Sequence, residues 1–430
     1  MAWNFSTDPA WVEQLAWVDD FVRSECEPID VVVKESHDLS DPVRQALIPP
    51  LQEIVKGRGL WATHLGPHLG GPGYGQVKLA LLNEILGRSE CAPIVFGSQA
   101  PDSGNSEILA HYGTPELKKR YLEPLLDNRI VSCFSMTEPQ GGADPKVFTT
   151  TATQDGDHWI INGEKWFSSF ASMASVIIVM AMTDPDAPPY ERYSMFVVPG
   201  ETPGINVLRD VGLGHQPLGG GGREGYVRYE NVRVPADHML GPRGGAFVVA
   251  QTRLGGGRIH HAMRTVGLVR RIYDMLCERA VSRYTQGGML SDKQLVQEMI
   301  ADSWLELEQF RLLVLQTAWK ADRHGYEALR GEIAAVKALM PTVLRNITSR
   351  AVQLHGSLGT TNEMPLIAYL VDGFTMGLAD GPTEVHKSTL ARQILKGVAP
   401  AQGLFPSEHI PAVRERVAQR SQLLSGIADV

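Results

Sequence analysis

Cysteine is scarce, with four in 430 residues, at positions 26, 91, 133 and 277, and no C-x-x-C pair among them. That spacing excludes a zinc knuckle and a disulfide framework, and it fits a reducing compartment. An excess of positive charge is also missing. Forty basic against 48 acidic side chains leave a net charge of −8, which argues against a chain whose main task is gripping nucleic-acid phosphates. No apolar run reaches membrane-spanning length, and the opening M-A-W-N-F-S-T-D-P lacks the basic region and apolar core of a leader. A cytoplasmic protein with neither nucleic-acid nor membrane partners is expected. The glycine-rich run 212–225 holds no G-K-[ST], so a P-loop is excluded. It lies among expected strands rather than opening a helix, so a nucleotide cofactor is expected to bind without a Rossmann unit. His64 and His68 lie four apart, but Gly66-Pro67 prevents the helix that would bring them onto one face, so no metal site is expected.

What is present is enough apolar residue, 43% of the chain, for two or three domains with real cores. Residues 1–130 read as helical. Trp11, Leu15, Val18 and Val22 recur at helical spacing, as do Val43, Leu47, Leu51 and Ile54, and Thr114-Pro115-Glu116 is a helix start. Residues 131–243 read as strands. Thr149–Thr153 and His158–Asn162 flank a Q-D-G-D turn and predict a hairpin with a four-residue connection. Val176–Met182, Ser194–Val198, Ile205–Leu208 and Tyr226–Val234 follow, which suggests a small antiparallel barrel or sandwich. Residues 244–430 return to longer helices. Ile259, Met263 and Val266 mark one, Leu295, Met299, Leu305 and Leu312 a second, Ile333, Val336 and Val343 a third, and His386, Leu390 and Ile394 a fourth. An α+β multidomain chain ending in a four-helix bundle is the expectation, and spare apolar helix faces favour a homo-oligomer.

Two segments bring polar hydroxyls, aromatic rings and turn backbone to strand ends. Ser132–Asp144 alternates apolar Cys133, Phe134 and Met136 with small polar residues, then breaks at Pro139 and Gly141-Gly142. Asn162–Ser169 is its echo. From these residues alone, an ordinary sheet edge and a cradle for an electron-rich heterocycle both stay open.

T-E-P at 137–139, N-G-E-K-W-F at 162–167, N-V-R-V-P at 231–235 and A-V-Q-L-H-G at 351–356 stand in the order and spacing of the acyl-CoA dehydrogenase family, which the chain resembles over nearly its whole length. A-P-D-S-G-N (100–105), G-R-I-H-H-A-M-R-T-V-G-L (257–268) and A-D-G-P-T-E-V-H (379–386) resemble the branch of family members ten and eleven. The resemblance implies an N-terminal helical domain, a middle β-domain, a C-terminal helical bundle, FAD, an acyl-CoA substrate, and an electron-transfer flavoprotein or similar acceptor. It also implies a homotetramer or dimer in which a neighbouring subunit completes the cofactor site.

By the same resemblance, Asp380 stands where the family has its catalytic base, one methylene shorter than the usual glutamate. Arg258 is an organiser beside that loop, with Ala379 and Gly381 on the substrate side, and Gly257 occupies the family's alternative base position and cannot serve. The implied flavin contacts are Phe134, Met136 and Thr137 on one side and Trp166 and Ser168 on the other. Arg283, Gln353 and Gly356 match contacts to a neighbouring subunit's cofactor. The alternatives are a nitroalkane-oxidase-like flavin oxidase of the same fold and a non-enzymatic DNA-binding relative.

Overall fold

The computed structural model describes residues 6–214 and 223–420, so the centre of the glycine run, 215–222, lies outside the described residues. The principal N-terminal helices are α1 (Pro9–Phe21), α2 (Pro42–Gly57), α3 (Gln76–Leu86) and α4 (Asp102–Tyr112). Asp8 and Asp41 cap α1 and α2 by accepting hydrogen bonds from Trp11 N and Val43 N, each with proline at the start of the helix. Trp11, Val18 and Val22 turn inward as their spacing predicts. The stripe expected on α2 is rotated. Val43 and Ile54 are exposed, whereas Arg44, Ile48, Gln52 and Val55 are buried. Arg44 and Gln52 go inside because both donate to the side chain of Asn128, and a buried polar group with a partner carries little penalty.

Seven strands form the middle layer: β1 (Ser132–Ser135), β2 (Thr151–Asp155), β3 (His158–Ser169), β4 (Val176–Met182), β5 (Tyr193–Pro199), β6 (Ile205–Val211) and β7 (Glu224–Pro235). Their order is β1-β4-β2-β3-β7-β6, with β5 also on β4. Most pairs are antiparallel, but β1 and β2 each run parallel to β4. The β2–β3 hairpin is tighter than predicted. Asp155 pairs with His158 across Gly156-Asp157, and Gly156 takes the positive φ that a two-residue turn needs. Strand β4 is apolar throughout because both its faces are covered. Ile177 and Val179 join Phe196 and Trp159, while Val176, Ile178 and Met180 pack with Ile108, Leu109 and Val249 from the flanking helices.

The C-terminal region contains α5 (Ala246–Ser282), α6 (Gln294–His324), α7 (Arg330–His355), α8 (Leu366–Thr375) and α9 (Thr383–Leu395). Its core joins Ile259, Met263 and Val266 of α5 to Leu307, Phe310 and Val314 of α6 and Val336, Met340 and Val343 of α7. The leucine stripe expected on α6 faces outward, with Leu295, Leu305 and Leu312 exposed. The inner face is Val296, Ser303, Leu307, Phe310 and Val314, a seven-residue repeat that accommodates a serine because its hydroxyl bonds back to Met299 O. Helix α5 meets the end of α3 backbone to backbone. A Cβ at Gly87 would lie 1.8 Å from Arg264 O, and one at Gly267 would lie 1.9 Å from Glu84 O. Only glycine permits that approach, and it fixes the part of α5 that carries the site. Among the described residues no helix is long and apolar enough to cross a membrane.

Candidate active site

The end of β1 is anchored by a buried ion pair. Glu138 accepts from Lys165 Nζ at 2.9 Å, Thr150 N at 2.9 Å, Thr149 N at 2.6 Å and Gln140 Nε2 at 2.6 Å. Burial raises the Glu138 pKa, but Lys165 and the backbone donors outweigh it and bring it down to about 2. Burial lowers the Lys165 ammonium to about 8, so both partners are charged at neutral pH. Lys165 also donates to Met136 O at 2.8 Å, and Trp166 N donates to Thr137 O at 3.0 Å, tying β1 to β3.

Phe134, Met136 and Thr137 lie half-buried on this tied edge, and the Arg253 guanidinium sits 4.1 Å over the Phe134 ring. Trp166 packs against Tyr226, and its indole Nε1 is buried without an acceptor among the described residues. Ser168 lies inside the sheet. The β3–β7 register shifts between Lys165 and Ser168, and the bulge puts Phe167 in a left-handed conformation, φ +59°, and 55% exposed. Ser168 consequently turns into the sheet, fully buried, its Oγ 2.8 Å from Ser135 Oγ, which also accepts from Tyr229 OH. The groups left on the accessible side are Phe167 and Ser169, whose hydroxyl donates to Glu224 at 2.7 Å. Strand alternation alone does not reveal a bulge.

Asp380 lies in the loop between α8 and α9 at φ +55°, followed by Gly381 at φ +105°. An L-residue in that region is strained and persists where surrounding contacts hold it. Here Arg258 Nε donates to Asp380 O at 2.9 Å, and His386 Nε2 lies 3.3 Å from the same oxygen. Thr383 closes the loop, with both its N–H and its hydroxyl donating to Gly377 O. Gly381 is required twice over, by its φ and because a Cβ there would sit 3.1 Å from His386 Nε2. The side chain of Asp380 is 19% exposed. Among the described residues nothing donates a hydrogen bond within ordinary length to its carboxylate, and its own N–H has no acceptor.

What faces that carboxylate is one stripe of α5. Arg253, Gly257, His261 and Arg264 follow at intervals of four, four and three, which brings them to one helix face. His261 Nε2 lies 3.5 Å from Asp380 Oδ2, and Gly257 leaves the other approach bare, since a Cβ there would be 3.8 Å from Oδ2. Lys337 reaches in from α7 and donates to Met376 O. Burial raises the Asp380 carboxyl, but His261 beside it, followed by the positive charges of Arg253, Lys337 and Arg258, more than offsets this and leaves the pKa below the usual range. Burial lowers the His261 imidazole to about 4. At neutral pH the pair is therefore a carboxylate beside a neutral ring. Beyond His261 a cavity of about 200 Å³ opens, lined by Glu90, Arg264, Tyr369, Asp372 and Met376 among others. The sequence reading named Gly257 of this stripe, and Arg258 next to it, but missed Arg253, His261 and Arg264, although their helical spacing was visible.

Arg283, Gln353 and Gly356 are exposed and stand apart from this cluster. Arg283 caps the C-terminal end of α5, 26 residues beyond Gly257, or roughly 39 Å at the helical rise of 1.5 Å per residue. Ala379 is exposed at the mouth of the base loop.

The sequence matches the acyl-CoA dehydrogenase N-terminal domain over residues 13–129, the middle domain over 133–230 and the C-terminal domain over 244–395. FadE2 of Mycobacterium tuberculosis, which carries the acyl-CoA dehydrogenase name, is 38% identical over 359 residues, covering 82% of this chain and 86% of that protein. Acyl-CoA dehydrogenase family member 11 of Gallus gallus is 38% identical over 391 residues, and the chain spans about half the length of that relative, 50% against 88% of its own. A solved structure from Mycobacterium abscessus, assigned to the acyl-CoA dehydrogenases, superposes with a TM-score of 0.83 at 37% identity, covering 92% of this chain and all of that one. The chain belongs to the acyl-CoA dehydrogenase family, a family of FAD-dependent oxidoreductases.

Proposed function

We propose that this chain introduces a double bond between Cα and Cβ of an acyl-CoA thioester, with Asp380 removing the α-proton. One observation carries the reading: a partly buried carboxylate, held in a strained turn, that receives no hydrogen bond of ordinary length among the described residues and has cationic side chains around it. Such a group stays ionised at neutral pH and keeps its lone pairs free, as a general base requires. The unused N–H of Asp380 is available to the thioester oxygen as charge builds on it. Arg258 and His386 hold the loop by its carbonyl, so the carboxylate keeps its direction.

The residues present fit a flavin. The edge of Phe134, Met136 and Thr137 is half-buried, an indole N–H at Trp166 with no acceptor among the described residues stands beside it, and Phe167 is an aromatic ring left exposed at a bulge. In this reading Phe167 and Ser169 take the place first given to Ser168. When bound, FAD supplies the acceptor for the hydride leaving the β-carbon. Arg283, Gln353 and Gly356 serve the cofactor of a neighbouring copy, which their distance from the chain's own base supports, and the protein is a dimer or tetramer. Exposed Leu295, Trp304, Leu305 and Leu312 on α6 support that assembly. Electrons leave to an electron-transferring flavoprotein or a similar acceptor. Domain limits at 130 and 243 and a cytoplasmic setting belong to the same reading, the latter supported by four unpaired cysteines.

The cavity beyond His261 favours an acyl tail that carries a polar group, because a plain alkyl chain would desolvate Arg264 and Asp372 without replacing their partners. The experiment is anaerobic bleaching of the flavin by a panel of acyl-CoA thioesters, plain and polar-tailed, matched in length. Bleaching by polar-tailed thioesters before plain ones is expected. No bleaching by any thioester sinks the proposed activity, and equal bleaching by both sinks the assignment of the tail.

A further inference from the structure

We propose that His261 is a positioning residue for Asp380: its Nε2–H holds Oδ2 toward α5, leaving Oδ1 to face the substrate. This rests on the reading of Asp380 as the base. The geometry that carries it is the arrangement of three positions one helical turn apart. Gly257 clears the space in which an aspartate, shorter than a glutamate, can approach the helix, and His261, four residues on, presents a ring nitrogen 3.5 Å from the same oxygen. That separation is too long for a finished hydrogen bond, as is common before substrate has closed a site. Arg253, four residues back, is held over Phe134 and bonded to Asn105, so it supplies field without touching the carboxylate.

A neutral ring suits this task. A cation in contact would form an ion pair that the α-proton has to compete against, whereas a neutral donor orients one oxygen and leaves the other basic. Burial keeps His261 neutral against the pull of Asp380, and Arg264, Lys337 and Arg253 add to it. Arg258 shares its helix, and Asp372 and Glu90 line the same cavity. The ring also lines the cavity at its edge beside the base, so losing it would free the carboxylate to rotate toward Arg264.

The test uses the FAD-loaded enzyme and three substitutions. His261→Leu fills the space and removes the donor. His261→Gln returns an amide N–H near the position of Nε2, and His261→Asn carries its amide on a shorter stem that falls short of it. His261→Leu and His261→Asn are expected to lower kcat about tenfold with KM nearly unchanged. They are also expected to raise the acid limb of kcat/KM by about one pH unit, because the charged form of Asp380 loses a donor. His261→Gln is expected to restore the rate to within about threefold and the limb to its original pH. Equal loss in all three variants, or a lower rate with an unmoved limb, overturns the proposal, since a merely structural ring would give either. A second readout is independent of turnover. In enzyme carrying 15N-histidine, the His261 Nε2 resonance should move when Asp380 is changed to Asn, and an unmoved resonance overturns the contact. Absence of turnover with every thioester, alongside a resonance that does move, would instead count against the proposed activity.

Discussion

A buried carboxylate and a partly buried one stand in two loops of this molecule, and their surroundings are opposite. Glu138 is filled with donors: an ammonium, an amide side chain and two backbone N–H groups. Asp380 is surrounded by cations of which none bonds to its carboxylate. Both pKa values fall, for different reasons. In the first case local hydrogen bonds and one ion pair consume the lone pairs, and in the second a diffuse field stabilises the charge and leaves the lone pairs unused. Charge held by contact builds structure, whereas charge held by field is available for chemistry.

The contrast can be broken by exchanging what each site loses. Glu138→Gln leaves Lys165 buried without an anion and is expected to cost about 3–5 kcal/mol in urea unfolding, with flavin lost as a consequence. A loss below about 1 kcal/mol would show that the pair is not what fixes the β1 edge. Asp380→Asn is expected to keep fold and flavin while the bleaching rate falls at least about a hundredfold. A variant that still turns over would remove Asp380 from the mechanism. Acid should separate the two sites further. The folded pKa of Glu138, about 2, lies below its ordinary value of 4.5, so its stabilisation is complete above about pH 4.5 and lost as the pH falls toward 2. Wild-type stability should drop steeply over that window and Glu138→Gln should flatten the drop, as measured by urea midpoints at successive pH. The smallest effect is expected from Gly257→Ala. A methyl 3.8 Å from Oδ2 is ordinary contact, so the rate should stay within about threefold and the helix should gain up to about 1 kcal/mol. A loss approaching that of Asp380→Asn would show that the bare approach is itself used by substrate.

Helix, sheet, helix was legible from periodicity, and the family motifs led to Asp380. The failures have physical causes. On α6 and α2 the leucine and valine positions drew attention, yet the buried faces include Ser303, Arg44 and Gln52, polar groups whose partners lie far off in sequence or in the preceding turn. The bulge that turns Ser168 into the sheet was not legible, because one extra residue exchanges the two faces of a strand. His261, Arg253 and Arg264 were visible at helical spacing, but spacing does not say which face of a helix meets a loop more than a hundred residues later.

Helix α5 is about 55 Å long at 1.5 Å per residue, with the base-facing stripe near one end and Arg283 at the other. If the far end completes a neighbour's cofactor site, flavin affinity becomes a property of the assembly. Dilution would then release flavin more steeply than simple dissociation allows, and added FAD would draw the copies back together.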